Sequence, residues 1–151
     1  MEFLTLSLII KKPYLNFTDM NETEFREQLF KNDWNLKNSR PYISSAYPNV
    51  NQITLNLDFE YSGVTYITDS RKIVLKSTDK DFFKIDCINS ECVHSDLDLS
   101  EDIIRMIHTK DSYFEGHMTC NGYQNFTRYQ AHGNHCLTQL NFKIFIEYKE
   151  N

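Results

Sequence analysis

Four cysteines constrain the fold of this chain more than any other feature of its sequence: Cys87, Cys92, Cys120 and Cys136. Four residues separate Cys87 from Cys92, a spacing that lets two thiolates bind one zinc ion. Cys120 and Cys136 each lie beside an Asn–Gly or Gly–Asn turn signal. Because Zn²⁺ favours thiolates and imposes no geometry of its own, the pattern predicts a closed structural site with four sulfur ligands.

Three alternatives to this zinc site fit the same residues. The cysteines are ordinary thiols in a reducing compartment, or they form disulfides in an oxidising one. In the third alternative, His94, His132 or His135 replaces one thiol as a ligand. His135 directly precedes Cys136, so these two neighbours do not easily bind the same ion.

Length and composition predict one globular domain. The chain has 151 residues, of which 40% are hydrophobic and 25% are charged. Eleven Phe and nine Tyr against four Gly favour a strand-rich aromatic core. We expect residues 1–151 to form a single domain, with a strand–helix–meander half over 1–86 and a zinc-stabilised half over 87–151.

The apolar run near the amino terminus predicts neither a membrane span nor a secretion signal. Residues 3–10 are too few to cross a bilayer. Lys11 and Lys12 follow the run, whereas a signal peptide carries its positive charge before it. The sequence therefore predicts a cytoplasmic protein with no membrane partner.

Hydrophobic periodicity predicts strands and one helix in the first half. The helix covers residues 22–34, with Asn21 as its cap and with Phe25, Leu29 and Trp34 as its apolar stripe. The expected strands are 2–10, 52–60, 64–67, 72–75 and 82–87, with a turn at Ser62-Gly63 and a break at Asp69-Ser70. Residues 35–51 are expected to form a loop, and the strands to form an antiparallel meander.

The second half is expected to add one helix and two strands. Ser100 is a good N-cap, and Ile103, Ile104 and Ile107 share one face of the helix that follows. Strands are expected over 113–120 and over 137–148, where apolar and polar residues alternate. The predicted fold class is α+β, with a mostly antiparallel sheet, two short helices and a structural zinc site.

A resemblance covers roughly residues 87–148. The residues that carry it are Cys87-x4-Cys92, Asp98-Leu99-Ser100, Ile103 to Ile107, Gly116-x3-Cys120-x-Gly122 and Cys136-x3-Leu140-x3-Ile144-x-Ile146-x-Tyr148. This pattern resembles small, uncharacterised bacterial proteins with four cysteines. The resemblance implies that the four cysteines act together, most simply on a metal ion, and it implies no activity.

A closed zinc site favours a structural role for the metal, since catalytic zinc keeps an open coordination position. The function we expect is therefore a non-catalytic binding or adaptor module that acts through protein–protein contacts. A zinc- or cysteine-dependent hydrolase is an alternative, with Cys120 or Cys136 as nucleophile, His117 or His135 as base and Asp98 to orient it. The sequence contains no H-E-x-x-H motif to support a zinc hydrolase.

Nucleic-acid binding is a further alternative. Its candidate residues are Arg71, Lys72, Lys76, Lys80 and Lys84, which follow Tyr66 and run up to and past Phe82-Phe83. A basic strand face with aromatic residues can bind single strands. The half that contains the cysteines is unsuited to this role, because residues 87–151 carry nine acidic and five basic residues.

Overall fold

The computed structural model describes residues 22–62, 66–93, 95–124 and 134–150. The helices are α1 (Glu22–Ser39), α2 (Ile43–Ala46) and α3 (Ser100–Thr109). The strands are β1 (Val50–Ser62), β2 (Tyr66–Lys76), β3 (Tyr113–Thr119), β4 (Tyr123–Gln124), β5 (Asn134–His135) and β6 (Gln139–Tyr148). The strand predicted over 2–10 and the cap Asn21 lie outside the described residues, and so does Gly63 of the predicted turn at Ser62-Gly63.

Four strands form one antiparallel sheet in the order β2-β1-β6-β3, and β4 pairs separately with β5. The predicted α+β class is confirmed, as are the two longer helices. Of the meander expected over residues 52–87, the structure has the antiparallel pair β1 and β2, and β6 from the second half pairs with the other edge of β1. This order joins strands from both halves of the chain, while the prediction of a single domain over 1–151 stays a prediction.

The alternation in β6 predicts its two faces correctly. Leu140, Phe142, Ile144 and Ile146 are buried, and the residues between them are exposed. Ile144 lies opposite Leu55 on one side and Phe114 on the other. The inner face of the sheet packs on a core whose other members come from α2, α3 and the segments between strands: Ile43, Phe83, Ile85, Leu97, Leu99, Ile103 and Met106.

Strand β2 corrects the prediction of two strands broken at Asp69-Ser70. Every residue from Tyr66 to Lys76 is paired in register with β1. Ser70 lies opposite Asp58, and its hydroxyl donates a 2.6 Å hydrogen bond to that carboxylate. A long, continuous partner strand therefore holds polar residues in a ladder that their own propensity does not favour.

The segment before the first cysteine is extended, but it is not the strand predicted over 82–87. Its only bridge in the described residues is Lys84 with Asp98. Two backbone bonds hold it to the chain that precedes α3: Ile85 donates to Leu97, and Leu99 donates to Phe83. Phe83 and Ile85 are buried by these contacts, so the segment belongs to the core without joining the sheet.

Both long helices begin or end differently from the prediction. Leu99 precedes α3 as its N-cap, and Ser100 is the first helical residue; the backbone N–H and hydroxyl of Ser100 donate to Asp98 Oδ1. Helix α1 continues to Ser39, and α2 interrupts what was expected to be a loop. No helix in the part of the chain described here is long and apolar enough to cross a membrane.

Candidate metal centre

The four cysteines, termed the cysteine cluster, meet beside the core. Cys87 follows the extended segment, Cys92 lies five residues later, Cys120 follows β3, and Cys136 lies between β5 and β6. Their sulfur atoms all lie within 4.8 Å of one another. All four are free thiols, so the disulfide alternative finds no support. The sequence prediction that these residues act together is confirmed as a clustering in space.

The separations within the cluster suit one tetrahedral ion. Cys87 Sγ lies 3.6 Å from Cys136 Sγ, and Cys92 Sγ lies 3.7 Å from Cys120 Sγ. Sulfurs placed about 2.3 Å from a central zinc ion are separated by ~3.8 Å along each edge of a tetrahedron. The remaining pairs of sulfur atoms all lie within 4.8 Å. Four sulfurs so placed could hold one metal ion, and a tetrahedral Zn²⁺ bound by all four would have no position left for water or substrate.

Backbone hydrogen bonds hold the two later cysteines against each other. Cys120 N–H donates to Thr138 O at 2.8 Å, and Leu137 N–H donates to Cys120 O at 2.9 Å. Cys136 N–H donates to Gly122 O at 2.7 Å. Leu137 has a positive φ of 57°, which turns the chain between Cys136 and the start of β6. These bonds hold the chain on either side of the two sulfurs where β3 ends and β6 begins.

Polar groups also surround the sulfur atoms. Asn89 Nδ2 donates to Cys136 Sγ at 3.2 Å, and Thr138 Oγ1 lies 2.9 Å from the same sulfur. Gly122 N–H donates to Cys120 Sγ at 3.4 Å. Donors of this kind stabilise negative charge on a thiolate and orient it toward a metal. No sequence pattern singles out Asn89 or Thr138, and the one signal for them is their position close to Cys87, Cys92 and Cys136 in the chain.

Hydrogen bonds within the cluster separate the pKa values of the four thiols. Bonds first with Cys120 and then with Cys136 raise the pKa of Cys87 and of Cys92. Bonds with Cys120, Cys87 and Cys92 hold the pKa of Cys136 far below its usual range. Cys136 raises the pKa of Cys120, but Cys87 and Cys92 outweigh it and lower that pKa to about 6. A bound metal ion would favour the deprotonated form of all four thiols.

Loss of the Asn89 donor is expected to weaken metal binding by roughly 10- to 100-fold, as is usual for groups that orient a ligand. In Asn89→Ala this donor disappears, together with the Oδ1 that accepts the Glu91 N–H. Asn89→Asp keeps an acceptor for Glu91 and removes the donor, so it should bind metal equally weakly or more weakly. Competition with a chromophoric chelator measures both affinities.

The matched control for this prediction is Asn141→Ala. Asn141 is exposed on the outer face of β6, where its side chain lies away from the buried face of the sheet. This variant should bind metal as tightly as the unmodified protein. Unchanged affinity in Asn89→Asp would show that the amide N–H does not support the site.

Two of the histidines predicted as possible ligands or bases, His117 and His135, lie in the described residues. His135 is exposed, and its Nδ1 lies 3.0 Å from Asn121 O, while its ring stacks near Tyr123. His117 is exposed on β3, opposite Asn141. His94 and His132 lie outside the described residues, and the mixed site they would form is therefore untested. The described metal-ligating group consists of the four cysteines.

The five basic residues considered for nucleic-acid binding do not share one face. Arg71 lies over the Phe59 ring and pairs with Asp69, and Lys72 points to the other side of β2 because neighbouring residues in a strand alternate. Lys76 is exposed at the end of β2. Lys84 pairs with Asp33 of α1, and Lys80 lies over the Tyr42 ring. The structure thus divides this set among several surfaces and partners.

No protein-family model matches the chain, and no curated protein or solved structure is significantly similar to it. The resemblance to small bacterial proteins therefore stays a prediction, although the gathering of the four cysteines that it implies is observed.

Proposed function

We propose that this protein is a non-catalytic module, stabilised by zinc, that binds another protein. The observation that carries the structural role is the complete set of four sulfurs at tetrahedral spacing. A catalytic zinc site normally has three protein ligands and an open position. Reduced thiols are required for this site, so the proposal places the protein in a reducing compartment such as the cytoplasm.

The binding surface we propose is on α1. One side of this helix faces the cysteine cluster: Phe25 is buried against Val93, and the Arg26 guanidinium donates to the carbonyls of Ser90 and Cys92, each at 3.2 Å. The side chains of Phe30 and Trp34 are 69% and 59% exposed, which corrects the expectation that Trp34 packs in the core. The Cys87–Cys92 loop therefore helps to position a helix that presents two exposed aromatic rings.

Phe30 and Trp34 line a groove of about 490 Å³ that we call the aromatic groove. Phe82 lines it from the extended segment, with Lys37 and Asp86 at its margin. The two rings on α1 stack with their centroids 6.5 Å apart. Exposed aromatic side chains beside a concavity are typical anchors in protein interfaces. We propose that the groove receives an apolar side chain from a protein partner.

Cross-linking in cells tests this surface. A photoreactive phenylalanine analogue at Phe30 is expected to capture a discrete protein, and Trp34→Ala should reduce the yield of that adduct. The matched control is the same analogue at Phe145, which is 40% exposed on the outer face of β6. Equal capture from both positions, or none from Phe30, would contradict the proposed surface. Salt-sensitive binding of single-stranded RNA that is lost in Lys72→Gln would instead support the nucleic-acid alternative.

A further inference from the structure

Among the described residues, the cysteine cluster is open to solvent on the side of Cys87 and Cys92. Cys120 and Cys136 are 0% and 2% exposed, whereas Cys87 and Cys92 are half-buried. Cys87 and Cys92 also line a surface cavity of about 180 Å³, together with Lys84 and Ser95. A small, uncharged oxidant can therefore reach these two outer sulfurs, while the two inner sulfurs are covered by protein.

All four sulfurs lie within 4.8 Å of one another, and two of the short separations join an outer sulfur to an inner one without sharing an atom. Cys87 is 3.6 Å from Cys136, and Cys92 is 3.7 Å from Cys120. A disulfide needs a sulfur–sulfur distance of about 2.0 Å, so each pair must close by roughly 1.6 Å. Both pairs can close together, because neither bond uses a sulfur that the other requires.

The geometry points to a second property of this site, which rests on the proposed zinc binding: the cluster is a peroxide-reactive site that releases its metal by forming the disulfides Cys87–Cys136 and Cys92–Cys120. An outer thiolate attacks one oxygen of hydrogen peroxide, giving a sulfenic acid and hydroxide. The neighbouring inner thiolate then attacks that sulfur, which forms the disulfide and releases a second hydroxide. Two peroxides thus take four electrons from four thiolates, and Zn²⁺ leaves because its ligands are gone.

Oxidation in these two pairs would keep the same parts of the chain cross-linked. The metal ties the Cys87–Cys92 loop to the segments that contain Cys120 and Cys136. The two disulfides tie the same loop to the same segments, so oxidation exchanges one cross-link for two covalent ones. We therefore expect the oxidised protein to remain folded after the metal has left, and a thiol reductant with added zinc to restore the starting state.

The test treats the zinc-loaded full chain with hydrogen peroxide and follows zinc release with a chromogenic chelator. The expected result is complete release by about two peroxides per zinc ion. Non-reducing digestion and mass spectrometry should then find Cys87 joined to Cys136 and Cys92 joined to Cys120. A mixture of pairings, or sulfinic acid without disulfides, would overturn the inference.

Trapping with dimedone tests the order of attack without any substitution. At early times the sulfenic acid adduct should be found on Cys87 and Cys92 and not on the buried Cys120 and Cys136. In a second test, Cys92→His keeps a zinc ligand and removes one disulfide partner, so Cys120 should remain reduced while Cys87–Cys136 still forms. Labelling of Cys120 or Cys136 first would contradict the proposed access route.

Zinc binding and the release of zinc by oxidation would be contradicted by different results. Protein that is purified without any bound metal would contradict the structural zinc site itself. Protein that holds one zinc ion and retains it under peroxide would leave the structural site intact and overturn only the oxidation chemistry.

Discussion

Cys136→Ser is expected to abolish zinc binding and to lower the free energy of unfolding by about 5 kcal/mol or more. Cys136 is 2% exposed and belongs to the main core cluster, and its sulfur contacts Cys87, Asn89 and Thr138. A structural zinc ion in a small domain contributes about 10–16 kcal/mol of apparent binding free energy, which also stabilises the fold. A whole domain has only about 5–15 kcal/mol of net stability, so loss of the ion should remove a large share of it.

Thermal unfolding with and without a chelator measures this effect. For a chain of this size, a loss of about 5 kcal/mol lowers Tm by roughly 10–20 °C. Chelation of the unmodified protein should produce the same shift, and added zinc should reverse it there but not in Cys136→Ser. Cys136→His supplies a nitrogen ligand and should recover part of the stability. If chelation leaves Tm unchanged, the metal does not stabilise the fold.

The clustering of the four cysteines was predictable because metal ligation restricts residue type and spacing. Only Cys, His and acidic side chains bind zinc, and the short Cys87–Cys92 loop brings two of them together by chain connectivity alone. The groups that surround the sulfurs follow no such rule. Asn89 donates a hydrogen bond to Cys136, although 46 residues lie between them in the chain. An asparagine in a short loop can have many roles, so the sequence alone does not reveal this contact.

Strands were predictable where one face is buried and the other is exposed to solvent. The alternation of β6 gave its faces correctly because its polar residues all lie on the outer side of the sheet. The position of β6 between β1 and β3 was not predictable, since periodicity contains no information on which strand lies beside which. The same limit explains β2, whose continuity at Asp69-Ser70 depends on pairing with β1.

Helix α1 illustrates how an apolar residue in a helical pattern can be misplaced. Phe25 is 3% exposed, while Trp34, nine residues later, is 59% exposed. At 100° per residue the two side chains are separated by about 180° around the helix, so they cannot face the same neighbour. The predicted apolar stripe is correct at Phe25, which packs against Val93, and wrong at Trp34, which is exposed.

Ile144→Ala is expected to cost about 2–5 kcal/mol of unfolding free energy while leaving the metal site intact. Ile144 is fully buried at the centre of the sheet, where β6 pairs with both β1 and β3. Removing its side chain leaves a cavity between Leu55 and Phe114, its register partners, and a packed core relaxes only partly into such a space. Chemical denaturation of the zinc-loaded protein measures the loss.

The control for this change is the adjacent Lys143→Ala, which truncates an exposed side chain on the same strand. It should change stability by no more than about 0.5 kcal/mol. Both variants should bind one zinc ion, since neither side chain belongs to the cysteine cluster. Because Cys120 and Cys136 belong to the same core as the buried face of the sheet, chelation of Ile144→Ala should unfold a chain that tolerates either change alone. Two separate unfolding transitions, with the sheet of the chelated Ile144→Ala chain still folded, would show instead that the cysteine cluster and the sheet unfold as separate units.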